Sequence, residues 1–213
     1  RRDRYPDKRI EEAAKRFRRI GVGLTGLADY LIKAGLRYGS TDAIAEVDRL
    51  LTAMEYAALD ESKALAHEKG AFPEFDNIVW DARMEAMELV PVRNIATTVV
   101  APAGSTSILC GADGSGCEQL FALAYDRMMR REKEEWYTVV PDIVQDVFKR
   151  YNIELTPERV RSIKENSGSV LGLDWVPEEI QHFLVTAQDL NPDDHLDTLI
   201  AVQLSLIHIS EPT

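Results

Sequence analysis

Apolar residues recur at spacings of three and four through the first third of the chain. Ile10, Ala13, Ala14 and Phe17, then Leu24, Leu27, Ala28, Leu31 and Ile32, follow the period of an amphipathic helix. They predict a first long helical element that continues through the glycines near residue 21 and closes at Gly35 and Gly39. A second stripe, Ile44, Val47, Leu51, Met54, Ala58 and Leu65, predicts a helix capped by Ser40 or Thr41 and ended by Gly70. Beyond Phe72-Pro73 the pattern is less regular, with a short helix predicted over 78–89 and broken by Pro91.

The pattern then changes. Ile95-Ala-Thr-Thr-Val-Val100 is apolar and β-branched and reads as a strand, stopped at Pro102. A loop with three glycines, 111–116, leads to the apolar run Leu120-Phe-Ala-Leu-Ala-Tyr125, which reads as a second, buried strand. Three helix starts follow: Pro141 before Ile143, Val144, Val147 and Phe148; Thr156-Pro157-Glu158; and Pro177-Glu178-Glu179 before Ile180, Phe183 and Leu184. Asn191-Pro192-Asp193-Asp194 repeats that logic ahead of Leu196, Leu199 and Ile200. The order strand, helix, strand gives an α/β class. No repeat or low-complexity linker divides the chain, and no boundary demands two domains.

Composition narrows the function classes. The 213 residues are 45% hydrophobic, enough for a substantial core, and 25 basic against 36 acidic residues give a net charge of −11. That balance argues against wholesale binding of nucleic acid or of an anionic membrane. Two basic clusters, within residues 1–19 and at Arg127, Arg130, Arg131 and Lys133, read as solvated helix faces. The two cysteines, Cys110 and Cys117, form neither a disulfide framework nor a zinc spacing, which fits a reducing cytoplasm. No apolar run approaches the roughly 18 residues a bilayer requires. The absence of an initiator methionine and the opening Arg1-Arg2-Asp3-Arg4 read as a piece of something longer.

The stretch Ala101-Pro-Ala-Gly-Ser-Thr-Ser107 carries the most suggestive chemistry. A strand that stops at a proline, turns on a glycine and begins a short helix offers unpaired amides, the positive end of a helix dipole and the hydroxyls of Ser105, Thr106 and Ser107 to an anion. The competing reading is an ordinary turn. Gly21-Val-Gly-Leu-Thr-Gly26 matches the dinucleotide fingerprint G-x-G-x-x-G, but that motif has meaning only after a buried strand, and Lys15-Arg-Phe-Arg-Arg19 is charged and helical in pattern. Glycines on one side of a helix more simply let another backbone approach. His67-Glu68 reads as a solvated helix end and His195 as a surface residue near a helix start. Glu118 reads equally as a functional and a structural carboxylate, and the two cysteines as small buried hydrophobes rather than a redox pair.

Taken in order, these segments resemble the C-terminal part of the catalytic subunit of ribonucleotide reductases, most closely the adenosylcobalamin-dependent class II enzymes. The resemblance rests on Arg18-Arg-Ile-Gly-Val-Gly-Leu-Thr-Gly-Leu-Ala-Asp29 with Tyr38, Ser62-Lys-Ala-Leu-Ala66 with Gly70-Ala-Phe-Pro73, and Arg93-Asn94. It continues through the Ala101–Ser107 turn, Ser115-Gly-Cys-Glu118 with Phe121-Ala-Leu-Ala-Tyr125, and Leu184-Val-Thr-Ala187 with Asp189, Pro192, His195 and Gln203. It implies an incomplete, helix-rich part of the family's ten-stranded α/β barrel over residues 1–203. It also implies substrate-phosphate binding by Pro102, Ala103, Gly104, Ser105 and Thr106. Ala103, Ser105 and Thr106 depart from the family's usual threonine, threonine and isoleucine, and Cys117-Glu118-Gln119 from its Ile-Glu-Pro.

The family's Asn-x-Cys-x-Glu loop and reducing cysteines lie upstream, so no catalytic residue and no metal ligand is expected in this chain, which should be inactive alone. The resemblance further implies adenosylcobalamin as cofactor, a ribonucleotide substrate, a thioredoxin-type reductant and a homodimer, without nucleic acid or membrane. A class I large subunit, a nicotinamide-dependent dehydrogenase built on Gly21–Gly26, and a non-enzymatic helical module are the alternatives. Residues 204–213 resemble a translated adapter and are set apart from the fold, so His208 is expected to carry no function.

Overall fold

A computed structural model describes residues 4–75, 90–130 and 134–205. The helix expected over 78–89, residues Arg131 and Lys133 of the second basic cluster, and residues 206–213 with His208 lie outside the described residues. The chain divides into two compact units, one formed by 1–23, 49–99 and 204–213, the other by 24–48 and 100–203.

In the first unit, α1 (Lys8–Phe17) starts where the Asp7 carboxylate accepts the Arg9 N–H at 2.7 Å. It ends at Arg18, which adopts φ 49° and donates its N–H to Ala14 O. The expected long helix therefore stops here, and the glycine segment is extended. Ile20 and Val22 donate to Ala96 O and Thr97 O at 3.0 and 2.8 Å, Val99 donates to Val22 O at 3.0 Å, and Val22 and Thr98 form a parallel bridge.

Close approach explains the glycines. A Cβ on Gly21 would lie 2.7 Å from Val99 Cγ1, and one on Gly23 2.6 Å from Val99 O. Their role as a contact surface for another backbone holds, but on an extended segment instead of a helix. The strand expected at Ile95–Val100 does not form as a regular strand: it is reduced to an isolated bridge at Thr98 within this pairing.

The helix α3 (Thr41–Lys69) has the apolar face read from the stripe, with Val47 and Leu51 fully buried, and its first N–H groups are met by Ser40, whose Oγ accepts from Ala43 N. At its far end Arg93 donates Nη1 to Lys69 O and Gly70 O at 3.0 and 2.9 Å, a cation placed on the carbonyl end of a helix. Asn94 then ties Ser62 to the extended segment, accepting from Ser62 Oγ and donating Nδ2 to Arg18 O at 2.7 Å.

The second unit holds the main core. α2 (Leu27–Ala34) buries Leu27, Ala28, Leu31 and Ile32 between two left-handed glycines, Gly26 and Gly35. α4 (Gly104–Cys110) follows the proline turn. α5 (Asp142–Arg150) buries Ile143, Val144, Val147 and Phe148, the residues its stripe specified. α6 (Pro157–Glu165) begins at Thr156, whose hydroxyl accepts the Arg159 N–H, with proline in its first turn. α7 (Glu178–Phe183) and α8 (Pro192–Ser205) complete the set. α8 opens on a reciprocal cap in which Asp194 N donates to Asn191 Oδ1 and Asn191 N to Asp194 Oδ2.

Three expectations are corrected in this unit. Leu120–Ala124 is no strand. Leu120, Ala122, Leu123 and Ala124 are buried in irregular backbone, tied by Leu123 N to Gly168 O and by Leu120 O to Ala187 N, both at 2.7 Å. A continuous apolar run reports burial and not periodicity.

The regular pairing comes after it, as an antiparallel hairpin of β1 (Tyr125–Arg130) and β2 (Glu134–Val139) in which Met128 faces Trp136. The basic residues Arg127 and Arg130 thus lie on a strand, not on a helix face. On α8, Leu196, Leu199 and Ile200 are exposed, while Thr198, Ala201 and Val202 form the buried side.

Candidate functional site

The turn at Pro102 hands the chain directly to a helix. Ala103 is left-handed at φ 48°, and α4 begins at the next residue with no side chain capping it. The first backbone bond of that helix is Ser107 N to Ala103 O at 2.7 Å. Among the described residues the N–H groups of Gly104, Ser105 and Thr106 meet no acceptor, so three donors converge at the helix start. Pro102, Gly104, Ser105 and Thr106 are exposed and Ala103 is half-buried. A Cβ on Gly104 would meet nothing within 4 Å, so the first residue of the helix borders open space. Ser107 does not join them: it is buried, and its Oγ donates to Gly104 O at 2.8 Å. The hydroxyls facing outward are those of Ser105 and Thr106.

Behind the turn stands the glycine loop. Gly111 ends α4 with φ 70°, and Ala112 donates to Ser107 O at 2.9 Å. The Asp29 carboxylate, on the first turn of α2, then accepts two successive amides, Asp113 N at 2.8 Å on Oδ2 and Gly114 N at 2.9 Å on Oδ1. Thr25 donates its hydroxyl to Ser115 O, and Gly26 donates its N–H to the same oxygen. Gly116 is buried, donates to Glu118 Oε2 at 2.8 Å, and would place a Cβ 2.4 Å from Ala101 O. The loop therefore supports the turn from both ends, through α4 and through Ala101.

Asp113 reaches onward. Its Oδ2 accepts Ile143 N at 2.8 Å and so caps α5, whose own Pro141 offers no side-chain acceptor. Desolvation pushes the Asp113 carboxyl above its ordinary value; the amides of Ile143 and Asp142 pull it back, and the carboxylates of Asp29 and Asp142 push it up again. A carboxyl raised on folding binds protons more tightly in the folded chain, so this contribution to stability is full below the ordinary carboxylate range and is lost as pH rises through the raised value. Asp113→Asn is expected to remove that slope, read as a flatter pH dependence of the unfolding midpoint than in the unaltered chain.

The remaining candidates take structural places. Glu118 is exposed and serves as acceptor for Gly116. Cys110 is exposed and Cys117 half-buried, both free, and burial followed by the Glu118 charge pushes the Cys117 thiol up, away from the thiolate that redox chemistry needs. The expectation that both cysteines are buried hydrophobes is corrected for Cys110. His195 is half-buried instead of on the surface: its Nε2 lies 3.0 Å from Ala187 O, and its ring packs 6.1 Å from that of Tyr38. Buried Tyr38 donates to Cys117 O at 2.8 Å, with its hydroxyl pushed up by burial first. His67 and Glu68 are exposed in the last turn of α3, as read. Val22, between Gly21 and Gly23, pairs with Thr97–Val99, and no helix runs through Gly21–Gly26.

The sequence names Asp29 only as the last residue of the Arg18–Asp29 segment, with no role, and does not point to Asp113. The available signal was positional: an acid in the first turn after a glycine cap, and an acid between glycines ahead of a proline-capped helix.

Known proteins agree with this architecture. Residues 1–208 match the family described as ribonucleotide reductase, barrel domain. A vitamin B12-dependent ribonucleoside-diphosphate reductase of Mycobacterium tuberculosis is 34% identical over 201 residues, covering 94% of this chain and 27% of that protein. A reductase of the same name from Thermoplasma acidophilum is 29% identical over 197 residues, covering 91% of this chain and 24% of that protein. The chain thus spans about a quarter of the length of these relatives. The class Id ribonucleotide reductase alpha subunit of Actinobacillus ureae superposes with a TM-score of 0.74 over 92% of this chain and 32% of its own, at 18% identity, a likeness of fold. These matches set aside the nicotinamide dehydrogenase reading of Gly21–Gly26. The open turn, the glycine loop behind it and the match over nearly every residue have one explanation: the chain belongs to the ribonucleotide reductase barrel-domain family.

Proposed function

We propose that this chain supplies the substrate-phosphate cradle of a reductase that converts ribonucleoside diphosphates to deoxyribonucleoside diphosphates. The observation that carries this reading is the acceptor-free N–H groups of Gly104, Ser105 and Thr106 at an exposed helix start. Amide donors fixed at a helix start attract a phosphate through hydrogen bonds and the helix dipole, and Ser105 and Thr106 add two hydroxyls. Pro102 and Ala103 set the turn that aims them.

In such an enzyme a cysteine thiyl radical abstracts the ribose 3′ hydrogen, the 2′ hydroxyl leaves as water, and two thiols are oxidised to a disulfide that a thioredoxin-type protein reduces. The residues of this chain hold the substrate in place for that chemistry. The Mycobacterium and Thermoplasma relatives are named vitamin B12-dependent, which supports a cobalamin, adenosylcobalamin on this reading, as the cofactor of the whole enzyme. Among the described residues no group of three or more His, Cys, Asp or Glu side chains gathers as a metal site.

Gly104→Val in a reductase polypeptide containing this chain tests the cradle. The branched side chain adds bulk at the exposed first residue of α4, beside the three amides, so KM for CDP is expected to rise about tenfold with kcat nearly constant, the signature of lost substrate binding. An unchanged KM overturns the reading.

A further inference from the structure

We infer that Asp29 is a positioning residue for substrate binding, holding the cradle in register through the glycine loop; this rests on the cradle reading. One carboxylate takes two consecutive loop amides, Asp113 N and Gly114 N, one on each oxygen. That arrangement fixes two peptide planes at once, and an ionised acceptor makes stronger bonds than a neutral one. The loop so held begins where α4 ends, at Gly111, and finishes at Gly116, against Ala101 O. Both ends therefore adjoin the segment that carries Pro102–Thr106. Asp113 extends the chain of contacts to Ile143 N, so α2, the loop and α5 share one polar brace.

The brace is closely packed. A Cβ on Gly26 would stand 3.2 Å from Ala112 Cβ, and one on Gly114 3.2 Å from Asp29 Oδ1, so the loop lies in close contact with the start of α2. Releasing Asp29 leaves two amides without their acceptor and lets the loop, and Ala101 with it, move relative to α4.

Asp29→Asn keeps the shape but replaces one acceptor oxygen by a donor that faces a loop N–H. In a reductase polypeptide containing this chain, KM for CDP is expected to rise threefold to tenfold while kcat stays within about twofold. Asp29→Ala is expected to raise KM further. A lowered melting temperature with unchanged KM, or a loss confined to kcat, overturns the inference. Should Asp29→Asn fail to fold, Asp29→Glu keeps the carboxylate but moves it by one methylene, and an unchanged KM there overturns the inference equally. Gly104→Val separates the two levels: if it raises KM while Asp29→Asn does not, the positioning role fails and the cradle stands. If neither variant changes KM, the cradle itself is wrong.

Discussion

Truncating Phe148 to alanine is expected to cost the chain about 3–5 kcal/mol of folding stability, the range measured when a fully buried aromatic is removed from a packed core. Phe148 is 0% exposed and belongs to the cluster that gathers Val144, Ile163, Ile180 and Leu184. Its ring stands 5.4 Å from that of Trp175, which is held in turn by an indole N–H donated to Ser162 Oγ and by Arg159 over its face. With the indole anchored on two sides the neighbours cannot collapse into the space, which places the cost toward the upper end. Urea unfolding followed by circular dichroism and by tryptophan fluorescence checks this. A loss below about 1.5 kcal/mol would mean that the core repacks freely.

The larger functional effect is expected at Gly116. Alanine there has no conformational obstacle, since Gly116 is not left-handed, so the test is purely one of space. The new methyl would sit 2.4 Å from Ala101 O, a distance at which backbone must move. Overpacking of this kind typically costs about 1–3 kcal/mol. The displaced carbonyl belongs to the residue immediately before Pro102, so the amides of Gly104, Ser105 and Thr106 shift with it. KM for CDP in a reductase polypeptide containing this chain is expected to rise more than tenfold, with a melting temperature several degrees lower. Lowered stability with unchanged KM would show that the strain is absorbed away from the cradle.

Local signals were legible in the sequence, and non-local ones were not. Thr156-Pro157-Glu158 and Asn191-Pro192-Asp193-Asp194 mark helix starts because a cap acts within a few residues, and the structure places both caps where their chemistry predicts. The buried face of α5 followed from the same locality. Gly21 and Gly23 show the limit. Apolar residues on either side keep a helical spacing, and what holds the segment extended is its pairing with Ala96–Val99, which no local pattern reports.

The β1–β2 hairpin escaped for another reason. Trp136 is 67% exposed and its partner Met128 is exposed as well, so neither face of the hairpin shows the alternation of a half-buried strand. In the candidate site, the turn was readable from proline, glycine and hydroxyls in one short stretch. The brace behind it was not, because Asp29 acts on backbone amides, and a backbone amide leaves no trace in residue identity.

Ala103 gives the cradle a property of its own. A left-handed alanine costs about 1–2 kcal/mol that a glycine would not. A glycine there, however, would sample many more backbone states, and fixing one residue costs about 1–2 kcal/mol of entropy each time. With alanine, that ordering is complete once the chain has folded, since α4 begins on the next residue and Ser107 N already grips Ala103 O. On the proposed reading, an anion at Gly104–Thr106 would meet donors placed by folding, and its affinity would not be reduced by having to order them.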